Sequence, residues 1–199
     1  MMSRSISYEE TGRTRQKART RAALVSAARE LLAHGPTPTV EQAADAAGIA
    51  RATAYRYFAN QRALITATYP EVDAPSLLGP AAPADPVARL DAVTAAMTRQ
   101  ILDHEPELRA MLRMSLEPGH GDLPFRKGRR ITWIADAIEP LRPQLGRARF
   151  DRLVRAIAAV LGVEVLVWHT DVAGLSRRQA AETMRWSAAA LLRAAIAER

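Results

Sequence analysis

Thr39-Val-Glu-Gln-Ala-Ala-Asp-Ala-Ala-Gly-Ile-Ala-Arg-Ala-Thr-Ala-Tyr-Arg-Tyr-Phe-Ala-Asn-Gln61 is the stretch that decides the fold. Thr39 is placed to cap a helix, its hydroxyl accepting from a first-turn amide that has no partner within the helix. Val40, Ala43, Ala44 and Ala47 then recur at helical spacing, on a face small enough for another helix to come close. Gly48 follows the last periodic residue, where a left-handed turn costs a residue without Cβ almost nothing. Ile49 is sized to plug the corner. From Arg51 the helical pattern resumes, with Ala54 and Phe58 inward and Arg51, Thr53, Tyr55, Arg56 and Tyr57 free to face outward. The two short helices form a helix-turn-helix over about residues 38–57, and the second is built to enter a major groove. Arg51 can present two donors to a guanine edge, while Thr53 and the phenols can reach phosphates or a thymine methyl. Arg56 has two other options, an ion pair with Glu41 or Asp45, or plain solvation.

Upstream, a first helix begins near Lys17–Thr20 and places Ala23, Leu24, Ala27, Ala28, Leu31 and Leu32 on one stripe before Gly35-Pro36 stops it. Residues 1–17 lack such a stripe and read as a flexible basic arm with Arg4, Arg13, Arg15 and Lys17. Residues 1–62 hold ten Lys/Arg against five Asp/Glu, and residues 63–199 eighteen against sixteen. Most of the net charge of +7 therefore sits on the proposed reading unit, as attraction to phosphates requires.

From about Arg19 to Ile65 the chain resembles the DNA-binding domain of the tetracycline-repressor (TetR) family. The resemblance rests on the end of the first helix, Ala27-Ala28-Arg-Glu-Leu31-Leu32-Ala-His-Gly35, and above all on Ala52-Thr53-Ala54-Tyr55-Arg56-Tyr57-Phe58. Three positions depart from the family pattern: Ala54 replaces a leucine, Ala50 a capping serine and Gln61 a lysine that touches phosphate. The resemblance implies DNA contacts from Arg19, Thr39, Arg51, Ala52, Thr53, Tyr55, Arg56, Tyr57 and Gln61. It further implies a homodimer on a two-fold symmetric double-stranded operator, repression as the commonest mode, release by a small-molecule effector, and dimerisation through the last two long helices.

Beyond the reading unit every segment has a helical pattern, giving an all-α chain. Its N-terminal three-helix DNA-binding domain spans residues 1–62, and a helical ligand-binding and dimerisation domain spans 63–199. A fourth helix, about Gln61–Tyr69, links the two. Residues 70–86, rich in proline, alanine and glycine, read as a loop and the best candidate for disorder. Helices follow from Pro86 to about His104, from Pro106 towards Pro118, from Lys127 to about Leu141, and over about 148–172 and 176–198. Gly119-His-Gly-Asp122 is a loop, and Gly174-Leu175-Ser176 combines a glycine stop with a serine cap.

The last two helices are apolar on more than one side and so need two partners. A four-helix seam between two copies, with Phe150, Ile157, Leu161, Gly162, Met184, Ala188 and Leu191, satisfies that need, and so does absorption into the core of one copy. Glu164 interrupts the apolar run Val160–Trp168 and has to be solvated, protonated or paired, the candidate partners being an arginine and a cationic ligand. Met97, Ile101, Met111, Met114, Trp133 and Trp168, with Glu164, are candidate walls of a pocket for an apolar or aromatic effector, although methionines and indoles suit an ordinary core equally well.

With no cysteine there is no disulfide, thiol nucleophile or Cys-based zinc site. His34, His104, His120 and His169 are scattered, and neither a Gly-x-Ser-x-Gly elbow nor a phosphate loop is present. No metal, cofactor or catalytic site is expected. The N-terminus is polar and basic, and no run approaches the roughly 20 apolar residues of a membrane span, so a cytoplasmic regulator is expected. The competing reading is a helical carrier or enzyme whose basic front is incidental.

Overall fold

In the computed structural model of the chain, residues 8–70, 74–117 and 128–198 are described, with side chains from Thr14 onward. Among the described residues there is helix and no strand. The Gly119–Asp122 loop, the start of the helix expected from Lys127, and residues 1–7 of the basic arm lie outside them. The chain divides into two compact units at Pro70.

The first unit starts with α1, Tyr8–His34. It begins well before the expected Lys17–Thr20, because residues 8–19 hold no proline and mostly long polar side chains, through which an established helix propagates readily. Leu24, Val25, Ala27, Ala28 and Leu32 are its buried residues, while Ala23 of the expected stripe is exposed. Helix α2 (Val40–Ala46) opens with a full capping box: the Thr39 hydroxyl accepts from the Gln42 amide, and the Gln42 side chain accepts from the Thr39 amide. Gly48 turns the corner at φ +63°, and α3 (Arg51–Tyr57) follows.

Helix α4 (Gln61–Thr68), capped by Asn60, belongs to this unit. It packs along α1 and buries Leu64, Ile65 and Thr68. Arg29 Nε donates to the Thr68 carbonyl at 2.7 Å, satisfying one end-of-helix acceptor. Helix α4 thus packs with the three helices of the head, and the compact unit reaches Pro70 rather than residue 62. Leu24, Val25, Ala28, Val40, Ala43, Ala44, Ala54, Phe58 and Leu64 form its core, with Ile49 packed against it as the corner plug.

The second unit holds α5 (Pro86–Asp103), α6 (Glu105–Ser115), α7 (Arg129–Ile138), a 3-10 turn (Glu139–Leu141), α8 (Arg142–Ala159), α9 (Val163–Val167), a π-helical turn (Trp168–Val172) and α10 (Arg177–Ala197). Helix α5 begins with Pro86 in its first turn and an Asp85 cap, and packs against α7 and α10. Within the loop expected over 70–86, the best candidate for disorder, residues 74–85 are tied to α7: Trp133 Nε1 donates to the Ala74 carbonyl at 2.8 Å, and the Ser76 hydroxyl to Asp136 at 2.6 Å. No helix among the described residues is by itself long and apolar enough to cross a membrane.

The single helix expected over 148–172 is broken after Ala159, and Gly162 is the cause. Its φ of +140° and ψ of +168° suit only a residue without a side chain. A Cβ there would overlap Arg130 Nη1 and the Glu164 carboxylate, so the glycine leaves room for that ion pair, 2.7 Å long. After the break the chain completes one π-helical turn, stops, and restarts at Ser176, whose capping box with Gln179 opens α10.

Candidate nucleic-acid interface

Helix α3 is oriented by what it buries. Ala54 is fully buried and Phe58 nearly so, which turns Arg51, Ala52, Tyr55 and Arg56 to the surface and leaves Thr53 half-buried. Arg21 lies over the Phe58 ring at 5.4 Å, a cation–π contact that braces this end of the helix. Tyr57, expected to face outward, is half-buried and packs partly on the core. Ala50 offers no side-chain cap to α3.

The outward groups are not loose. Arg51 Nη2 bonds to Asp45 Oδ2 at 3.2 Å, and the Tyr55 hydroxyl donates to Glu41 Oε1. That bond holds the Tyr55 phenol above its ordinary pKa and the Glu41 carboxyl below the usual carboxylate range. Arg56, the arginine for which these carboxylates were considered, is exposed and has no ion pair among the described residues. Sequence periodicity missed this partner choice, although a signal was there: Glu41 and Asp45 are four apart on α2, as are Arg51 and Tyr55 on α3, so each pair occupies one helix face.

Arg19 is exposed on α1, and Thr39, although exposed, is engaged as the α2 cap. Gln61 is turned inward, its Nε2 donating to the carbonyls of Thr37 and Pro38, both at 3.1 Å. It ties α4 to the entry of α2, so in this conformation its amide is not directed at a phosphate.

In the body, Met97, Ile101, Met111, Met114 and Trp133 are all buried, on α5, α6 and α7. Trp168 is not with them: 57% of it is exposed, and its ring meets His169 edge-on at 5.2 Å. Glu164 is paired with Arg130, as one of its expected fates, and its Oε2 is buried without a hydrogen-bond partner.

Phe150, Ile157, Leu161, Met184 and Ala188 are 0–1% exposed, within the core of one copy, and Gly162 is buried as well. These side chains have no surface to give to a second copy, because α8 is covered by α7 and α10, and α10 packs against α5 as well. Leu191 is half-buried. The apolar surface remaining on the last segments is instead Trp168, Val172 and Trp186, exposed by 57, 71 and 65%. Trp168 and Val172 are four apart on the π-helical turn and share a face, a signal masked by the apolar run Val160–Trp168.

Among the described residues no group of three His, Cys, Asp or Glu side chains could hold a metal ion. No curated protein matches the chain. Residues 24–68 match the family described as bacterial regulatory proteins, tetR family, a span that runs from the first core leucine of α1 to the last residue of α4. Residues 24–68 thus carry a DNA-binding unit similar to that of bacterial tetR-family regulators, with an outward-facing arginine and phenol on the second helix of its helix-turn-helix, which supports a DNA-binding transcriptional regulator.

Proposed function

We propose that the protein is a homodimeric repressor that binds a two-fold symmetric duplex operator and leaves it when a small apolar or aromatic ligand occupies the body. The observation that carries the DNA-reading part is α3, which buries Ala54 and leaves Arg51 and Tyr55 exposed to solvent. Dimerisation is supported by Trp168, Val172 and Trp186, because two indoles and a valine in water on a helical body are a surface a second copy would cover. Two recognition helices have to stand about 34–36 Å apart to meet successive major grooves, so pairing is itself part of reading. The ligand site is supported by Met97, Ile101, Met111, Met114 and Trp133, which face the interior from three successive helices. The unbonded Oε2 of Glu164 is an acceptor for a donor group on such a ligand.

A ligand releases DNA only by binding the released conformation better, and a 100-fold change in operator affinity requires about 2.7 kcal/mol of coupling. The test uses duplex DNA selected by the protein from a random pool. The reading expects an inverted-repeat site occupied by two chains. It also expects apolar or aromatic cationic compounds to change Trp133 fluorescence and weaken that binding, with Trp133→Ala blunting both effects. A single-chain complex on an asymmetric site would refute the dimer. Compounds that alter fluorescence but leave DNA affinity unchanged would refute ligand release and favour a regulator controlled by a partner protein.

A further inference from the structure

Glu41 and Asp45 present a problem for a DNA-binding surface, because carboxylates beside phosphates repel them. Both are on α2, one helical turn apart, and both face α3. The two bonds they make run as rungs across the motif: Asp45 to Arg51 next to the Gly48 corner, and Glu41 to Tyr55 one turn further along. Arg51 and Asp45 are each more than 60% exposed at the side chain, so burial does not hold the guanidinium in place. The carboxylate does. The head carries these acids against a net positive charge, and each one holds a group that the helix would present to a base or phosphate.

We propose that Glu41 and Asp45 are positioning residues for DNA reading, which fix Tyr55 and Arg51 in the orientation they use on the duplex; this rests on α3 being the reading helix. A guanidinium has five N–H donors, and one bond to Asp45 leaves enough for a two-donor contact with the O6 and N7 of guanine. Holding the arginine in one rotamer also removes the alternatives in which it drifts to a phosphate, a contact that raises affinity for every sequence equally. The acids therefore lower affinity for DNA in general and raise the preference for the right sequence.

The experiment compares the full chain with Asp45→Asn, Arg51→Ala and the double variant. The probes are a duplex selected from a random pool by the wild-type protein and a scrambled duplex of equal length, each over a salt series. Asp45→Asn should reduce the ratio of selected to scrambled affinity about 5- to 10-fold, the lower end of what a bidentate arginine contact supplies. Its affinity for the scrambled duplex should hold or rise, since a negative charge has been removed. In the Arg51→Ala background the Asp45 change should have no further effect on the ratio. Glu41→Gln should behave in the same way relative to Tyr55→Phe, with unchanged melting confirming a folded head.

If Asp45→Asn tightens both duplexes by the same factor, the acid is only repulsive and the proposal fails. A further loss of preference in the double variant, beyond that of Arg51→Ala, would mean that Asp45 reads a base itself, and again the proposal fails. Those outcomes leave α3 as the reader. Full sequence preference in Arg51→Ala would instead overturn the reading of α3, and the proposal with it.

Discussion

Gly162→Ala is expected to destabilise the body substantially although it adds only one methyl group. The backbone there has φ +140° and ψ +168°, a region essentially closed to side chains, which costs of the order of 1–3 kcal/mol. The new Cβ would also overlap Arg130 Nη1 and both oxygens of Glu164. These are the ends of flexible side chains and can swing away, so the steric part amounts to loss of the ion pair. At 33 and 38% side-chain exposure, that pair contributes about 0–1 kcal/mol. Together they give about 1–4 kcal/mol, with most of it in the backbone. At roughly 2–4 °C per kcal/mol for a chain of this size, the melting temperature should fall by roughly 2–16 °C. Circular dichroism melts read this directly, and adding Arg130→Ala to Gly162→Ala should change the melting temperature little further, because the ion pair is already lost. A Gly162→Ala protein that melts with the wild type, or one restored fully by Arg130→Ala, would refute the claim that the backbone at the α8–α9 break demands glycine.

Gln61→Ala removes two inward hydrogen bonds and should lower the stability of the head by about 1–2 kcal/mol in urea unfolding. DNA affinity should stay as it is, whereas an equal loss of affinity for every sequence would place Gln61 on a phosphate. Changing Trp168 and Trp186 to glutamate should leave helicity intact and halve the mass seen by light scattering, and an unchanged dimer would move the seam elsewhere. Arg109 and the Thr170 hydroxyl, bonded to Asp171, hold that carboxyl at about 2, below its ordinary 3.8. The stability this supplies is complete above about pH 4 and is lost as pH falls through about 2. Asp171→Asn should therefore melt with less pH dependence than the wild type between pH 4 and 2, and identical profiles would count against the linkage.

Much of the head could be read from residue types alone, because its determinants are local. A threonine with a glutamine three residues on makes a capping box, a glycine takes the left-handed corner, and a small apolar face at 3.6-residue spacing has one way to pack. The same holds at Pro86 and at Gly174 with Ser176. What escaped were choices between neighbours distant in sequence. Periodicity places Phe150, Ile157 and Met184 on apolar faces but says nothing about which helix covers them, so it cannot choose between a seam between copies and the core that α8 shares with α7 and α10. Gly162 looked like a close-packing glycine within one long helix, since Arg130, whose ion pair with Glu164 it accommodates, is 32 residues away. The Glu41 and Asp45 rungs escaped because any of several nearby cations could have been their partner. α4 joined the head through Arg29 and Thr68, a bond across 39 residues that no window on the sequence spans.

The most direct test of the account is the affinity of the wild-type protein and of Arg51→Ala for the selected and the scrambled duplex at several salt concentrations. The account predicts salt-sensitive binding with a clear preference for the selected sequence. It also predicts that Arg51→Ala loses about 1–3 kcal/mol of that preference while its melting temperature stays unchanged. A wild-type protein with no sequence preference, or an Arg51→Ala protein with all of it, would contradict the claim that α3 reads the DNA.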